Sequence, residues 1–123
     1  GLDLSNSMVM IENNMFNNFS DKGISIGESS TVILEDNSIN SNNIGVAIKD
    51  GSIAFSVGSK FKNNSNNFSL YNKKYFFEKP SLFRQQSSKS IKFKKNEYPL
   101  KDASTELIAL KDKILSTIEK NKP

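Results

Sequence analysis

Cysteine, histidine and tryptophan are absent from the 123 residues. Their absence excludes disulfide frameworks, Cys/His zinc sites, thiol nucleophiles and Ser-His-Asp triads within the chain. Apolar residues are scarce for a globular domain, at 36%. The longest apolar runs have about four residues, so no segment is long enough to cross a membrane as a helix. The chain begins with Gly1 and shows no charged-then-apolar leader, so an upstream segment is expected. The length suits one domain, or a piece of a larger one.

Asparagine is plentiful. Of 16 Asn, 14 precede residue 73. Asn forms helices poorly and turns well, because its side chain mimics backbone hydrogen bonds and tolerates a left-handed backbone. Charge divides at the same place. Residues 1–72 carry 4 Lys against 7 acidic residues, whereas residues 73–123 carry 13 basic against 6 acidic. The first part is therefore a chain of many turns, and the last part is built differently.

A repeat explains the turns. Gly1-Leu2-Asp3-Leu4, Gly23-Ile24-Ser25-Ile26, Gly45-Val46-Ala47-Ile48 and Asn67-Phe68-Ser69-Leu70 follow one another at steps of 22. Val9, Val32 and Ala54 keep the same step, with one residue inserted once; so do Ile11, Leu34 and Ser56, then Asn14, Asn37 and Ser59, then Phe16, Ile39 and Phe61. Alternation of period two marks short strands with one inward face. Leucine-rich repeats of similar length need a helix-like return, and these Asn- and Ser-rich returns have no helical stripe. The period predicts a parallel β-helix, in which each coil stacks on the last and equivalent strands pair in parallel. Leu2, Ile24, Val46 and Phe68 form one expected interior row, and Leu4, Ile26, Ile48 and Leu70 a second. Asn14 and Asn37 form an expected structural ladder between coils, ended by Ser59. Asn13, Asn17, Asn18, Asn42, Asn43, Asn63 and Asn64 read as plain turn residues.

Two units, Ile11-Glu12-Asn13-Asn14-Met15-Phe16 and Leu34-Glu35-Asp36-Asn37-Ser38-Ile39, each lead into a Gly-apolar-x-apolar strand. They resemble the right-handed parallel β-helix repeats of pectate-lyase-like proteins. The resemblance covers residues 1–72, extending toward 95. It implies an all-β solenoid located outside the cytoplasm, and either a polysaccharide lyase, hydrolase or epimerase or a non-catalytic surface module. No catalytic residue carries over from it. The Asp-Pro-His motif of the epimerases needs a His, and neither the clustered Asp of the hydrolases nor the full carboxylate and basic set of the calcium-dependent lyases is present.

The expected organisation is three to four coils over residues 1–95, then a linker and a C-terminal amphipathic α-helix over 96–123. The interior rows begin at Leu2 with nothing before them, so further coils or another domain are expected upstream as a partner. Tyr75, Phe76 and Phe77 continue the register of Ile53, Ala54 and Phe55, and Ile91-Lys92-Phe93 that of Phe68-Ser69-Leu70, as the start of a fifth coil. Residues 103–120 place Leu107, Leu110, Ile114 and Ile118 on one helical face, with Ile108 and Leu115 widening it. A helix there is expected to cap the open core, ahead of forming a dimer interface or lying on a surface.

The stacking rule also yields candidate chemistry. Residues 22 apart become neighbours, which gives a column Asn6, Glu28, Asp50, Asn72 beside a column Ser5, Gly27, Lys49, Tyr71, with Lys73 and Lys74 just beyond. Adjacent carboxylates repel, and one pKa rises unless a cation sits between them. Glu28 and Asp50 are thus candidates for a divalent cation such as calcium, and Glu28, Asp50 and Lys49 for acid–base chemistry on a saccharide. Tyr71, Lys73 and Asp50 are candidate saccharide-binding residues. Set against this, exposed charges in turns are usually solvated, and Lys49-Asp50-Gly51-Ser52 is an ordinary turn sequence. Glu12, Glu35 and Asp36 form a weaker second acidic column. Nucleic acid is disfavoured as a partner despite the basic tail, because its interleaved aromatics Tyr75, Phe76, Phe77, Phe83 and Phe93 fall on core register. The favoured function is a β-helix module that binds or presents polysaccharide along its flank. A polysaccharide enzyme is the alternative, and a structural spacer the third reading.

Overall fold

In a computed structural model the described residues are 1–84, 100–102 and the isolated positions 112, 113, 116, 119 and 120. They form a parallel β-solenoid of about three turns. The first coil runs through β1 (Leu2–Ser5), β2 (Met8–Glu12) and β3 (Met15–Asn17). The second runs through β4 (Lys22–Gly27), β5 (Thr31–Glu35) and β6 (Ser38–Asn40), and the third through β7 (Ile44–Lys49), β8 (Ile53–Val57) and β9 (Lys60–Lys62). A further partial coil has β10 (Asn66–Tyr71) and β11 (Ser81–Arg84), and β12 (Leu100–Asp102) follows. Equivalent strands stack into three sheets. The first is β1-β4-β7-β10, the second β2-β5-β8-β11-β12, and the third β3-β6-β9.

The 22-residue step is the pairing register itself. Leu4 pairs with Ile26, Ile26 with Ile48 and Ile48 with Leu70. These rows join Val32, Leu34, Ala54 and Ile39 in one interior core, against which Leu4, Val9, Phe16 and Phe61 pack. Leu2, in the first coil, is exposed. The last interior positions are less apolar. The row Ile11, Leu34 continues to Ser56 and then to Arg84, whose guanidinium lies over the Phe68 ring.

The turns need a left-handed backbone, which Asn, Asp, Ser and Gly supply at least cost. Among the described residues, nine non-glycine positions have positive φ, and of these only Glu28 lies outside the Asn, Asp and Ser set. In each turn the next positions carry a ladder between coils. The amide N–H of Asn14 donates to Asn37 Oδ1 and that of Asn37 to Ser59 Oγ, while Asn37 Nδ2 donates to the Ile11 carbonyl. That is the expected Asn14–Asn37–Ser59 ladder.

Two further ladders correct the plain-turn reading. The N–H of Phe19 donates to Asn42 Oδ1 and that of Asn42 to Asn64 Oδ1, so Asn42 and Asn64 join coils together. At the remaining turn, the N–H of Ser7 donates to Ser30 Oγ and that of Ser30 to Ser52 Oγ. Each ladder satisfies backbone groups that a tight turn would otherwise bury without partners.

One expected register is wrong. β11, not Tyr75–Phe77, continues the second sheet: Leu82 pairs with Ala54 and Phe83 with Phe55. Residues 72–80 form an inserted loop, and Tyr75 is 95% exposed. Asp50 Oδ1 holds the backbone N–H groups of Lys73 and Lys74 and diverts the chain before Tyr75, so Leu82 and not Phe76 takes the inward place beside Ala54. The burial assumed for Tyr75 and Phe76 therefore fails. The fifth-coil start at Ile91–Phe93 lies outside the described residues. So does the apolar face expected over 103–120; no helical element is described there, although Asp112, Lys113, Ser116, Glu119 and Lys120 individually have helical backbone and are exposed.

Candidate functional site

The outer face of the first sheet has an unusually flat floor. Its outward positions include Ser25, Gly27, Ala47 and Ser69, all small and all buried by their neighbours. Glycine matters at one stacked row. A Cβ on Gly1 would meet the Gly23 carbonyl oxygen, and one on Gly23 or Gly45 would lie 2.9 or 2.6 Å from the carbonyl oxygen of the next coil, so the strands approach too closely for a side chain.

Lys49 lies along this floor. Its side chain passes over Gly27, where a Cβ would sit 3.7 Å from Lys49 Cε and 3.9 Å from Nζ. Lys49 is only 9% exposed and makes no hydrogen bond or ion pair among the described residues. Its ammonium is held below the ordinary lysine range, first by burial and then by the nearby Lys73 and Lys22, partly offset by Asp3 and Asp50. Tyr71 pairs in register with Lys49. Burial pushes the half-buried Tyr71 phenol above its ordinary pKa. Lys22 donates to Asp21 at 2.8 Å, which raises the Lys22 pKa. Lys22 was not among the sequence candidates. It begins β4 opposite Ile44, and it acts on Lys49 and Tyr71 by electrostatic range, which the stacking step did not indicate.

The carboxylates have another occupation. Asp50 is 2% exposed, and its Oδ1 accepts the backbone N–H groups of Lys73 (2.8 Å) and Lys74 (3.0 Å). Glu28 pairs with the Lys74 ammonium. That pairing raises the Lys74 pKa. Asn72 donates to the Phe77 carbonyl. The column Asn6, Glu28, Asp50, Asn72 thus lies where the sequence placed it, but its acidic members anchor the inserted loop. Among the described residues no group of three or more carboxylates could hold a metal ion. In the second acidic column Glu12 and Glu35 pair in register, and Asp36 takes the left-handed turn position. The inserted loop also presents Tyr75 and Phe76, in edge contact at 5.6 Å, beside the exposed Lys73 and Lys74.

The family pattern of a right-handed β-helix region matches residues 2–97. The chain belongs to the right-handed β-helix family. No curated protein and no solved structure matches it. Membership of this β-helix family accounts for the coil register, the three sheets and the ladders, and assigns no ligand. Among the described residues no helix is long and apolar enough to cross a membrane.

Proposed function

We propose that the chain is a β-helix module of a carbohydrate-active or cell-surface protein, and that it binds an acidic polysaccharide along the outer face of the first sheet. One observation carries this reading: the Lys49 side chain is largely buried, and its ammonium, which still reaches solvent, has no hydrogen-bond or ion-pair partner among the described residues and has Lys22 and Lys73 nearby. A buried charge is costly unless paired. An incoming carboxylate or sulfate would relieve that cost and the repulsion from Lys22 and Lys73. The small residues Ser25, Gly27, Ala47 and Ser69 raise no side chain above the strands, and Tyr71 offers an aromatic edge to a sugar ring.

Polyuronates and their neutral counterparts, titrated calorimetrically, test the proposal. Binding of the acidic polymer that weakens at high salt, and drops at least about tenfold on Lys49→Met or Tyr71→Ala, supports it. Equal binding of neutral polymers, or none of either, contradicts it and favours the spacer. A second reading is a polysaccharide enzyme of the eliminating kind, with Lys49 and Glu28 as its candidate acid–base groups. Unsaturated ends appearing in the polymer, and lost in Lys49→Met and in Glu28→Gln, would establish it.

A further inference from the structure

The inserted loop 72–80 ends in a tip that the fold does not need. The N–H of Phe77 donates to the Lys74 carbonyl at 3.3 Å, so Tyr75 and Phe76 are the two central residues of a tight turn. Such places favour Gly, Pro, Asn, Asp and Ser. Here they hold two aromatic rings, 95% and 67% exposed. The rings touch each other and, through Phe76, the half-buried Phe77, and neither belongs to the interior core. The tip is nevertheless held firmly. Asp50 Oδ1 accepts the N–H groups of Lys73 and Lys74, Asn72 donates to the Phe77 carbonyl, and Glu28 pairs with the Lys74 ammonium. Carboxylates of two earlier coils thus brace a loop whose outermost side chains are aromatic.

The charge of the solenoid is graded along its axis. Residues 1–50 carry two Lys against seven acidic residues. Residues 51–84 carry five Lys and Arg84 against Glu78 alone. The aromatic tip stands at the basic end, and the exposed Lys73 and Lys79 flank it in the chain. A molecule polarised in this way turns its basic end toward an anionic surface.

Shape and chemistry select the kind of surface. The tip is convex, so what it enters must yield or be hollow. Phe76 has no polar atom and Tyr75 a single hydroxyl, so the tip has little with which to read the hydroxyls of a sugar or the edge of a base. Aromatic rings with lysines behind them suit the boundary of a lipid bilayer, where the rings sit at headgroup level and the ammonium groups meet lipid phosphates.

We propose that the loop 72–80 docks the solenoid, basic end first, on an anionic lipid surface. Tyr75 and Phe76 enter the boundary between headgroups and acyl chains, Lys73 and Lys79 lie against the headgroups, and the acidic coils point away. The proposal goes beyond the polysaccharide reading and does not rest on it.

The chain has no tryptophan, so a single introduced Trp reports its own surroundings. With vesicles of phosphatidylglycerol and phosphatidylcholine, Phe76→Trp in the full chain should shift its emission to the blue and be quenched by brominated acyl chains. Met15→Trp, at an exposed place in the first coil, should do neither. In sedimentation with the same vesicles, Tyr75→Ser with Phe76→Ser should weaken binding at least about tenfold and Lys73→Gln about fivefold, with unfolding midpoints unchanged. Vesicles of phosphatidylcholine alone should bind far less. Absence of binding to the anionic vesicles overturns the proposal. So does binding that the serine pair leaves intact, or a Met15→Trp response equal to that of Phe76→Trp. A Phe76→Trp shift produced as fully by a soluble polyuronate or an oligonucleotide would make the tip a polyanion site and overturn it as well.

Discussion

Two outer faces of one solenoid differ as much as two proteins do. On the first sheet the outward residues are small or charged, as at Ser25, Gly27, Ala47 and Lys49. On the second they are large and apolar, as at Met10, Ile33 and Phe55. The interior treats the sheets alike, since Ile26 and Leu34 are both wholly buried. Stacking dictates what faces inward and leaves the outside open to specialisation. Among the described residues, one flank keeps a lysine without a hydrogen-bond or ion-pair partner, and the other buries Ile33 and Phe55 among partly buried apolar neighbours. A parallel sheet covered on both faces reads as continuous apolar residues, and one covered on a single face alternates.

The largest expected effect breaks the notion that outward means tolerant. Ile33→Ala should destabilise by about 2–5 kcal/mol, as much as Ile26→Ala inside, because both delete buried methyl groups. Equal urea midpoints for Ile33→Ala and the wild type would refute it. Next comes the ladder. Asn37→Ala should cost about 1–3 kcal/mol, since it leaves the Asn14 N–H and the Ile11 carbonyl without partners. Asn14→Ala, at an exposed position, should stay within about 0.5 kcal/mol. A reversed order in chemical denaturation would show that the ladder is ornamental.

Asp50→Ala should cost roughly 1 kcal/mol, because the Lys73 and Lys74 amides it frees can reach water. Its clearer signature is faster tryptic cleavage at residues 73–74, with Asp50→Asn slower than Asp50→Ala. The smallest effect is electrostatic. Lys49 titrates below the ordinary lysine value in the fold, so its charged form opposes folding. That penalty is complete below the folded pKa and is lifted as pH rises from there toward the unfolded value. Lys49→Met should therefore be relatively most stable near neutral pH, and its advantage should shrink as the melting series approaches pH 10. An advantage constant with pH would mean that Lys49 is not desolvated.

Much of this was legible in one coil's length of sequence. Leu4, Ile26, Ile48 and Leu70 declare the stack because alternation and period agree, and Asn14, Asn37 and Ser59 share its register. Asn42 and Asn64 were harder, since a turn alone already explains an Asn. Tyr75–Phe77 misled because the period was carried across an insertion whose anchor, Asp50, acts through backbone amides. The apolar flank did leave a signal. Met8-Val9-Met10-Ile11 and Val32-Ile33-Leu34 are unbroken runs, which means burial on both faces. The poise of Lys49 was invisible, because it depends on which of several lysines lies flat across Gly27.

Stacking at the coil step is the premise beneath both faces, and the third sheet tests it without disturbing either. Ser38 and Lys60 pair there as nearest neighbours across the coil boundary. Cα atoms about 4.8 Å apart on adjacent strands suit a disulfide. Under mild oxidation Ser38→Cys with Lys60→Cys should close within one molecule, while Ser38→Cys with Lys62→Cys remains reduced. Closure of the shifted pair in place of the aligned one would contradict the coil register and everything built on it.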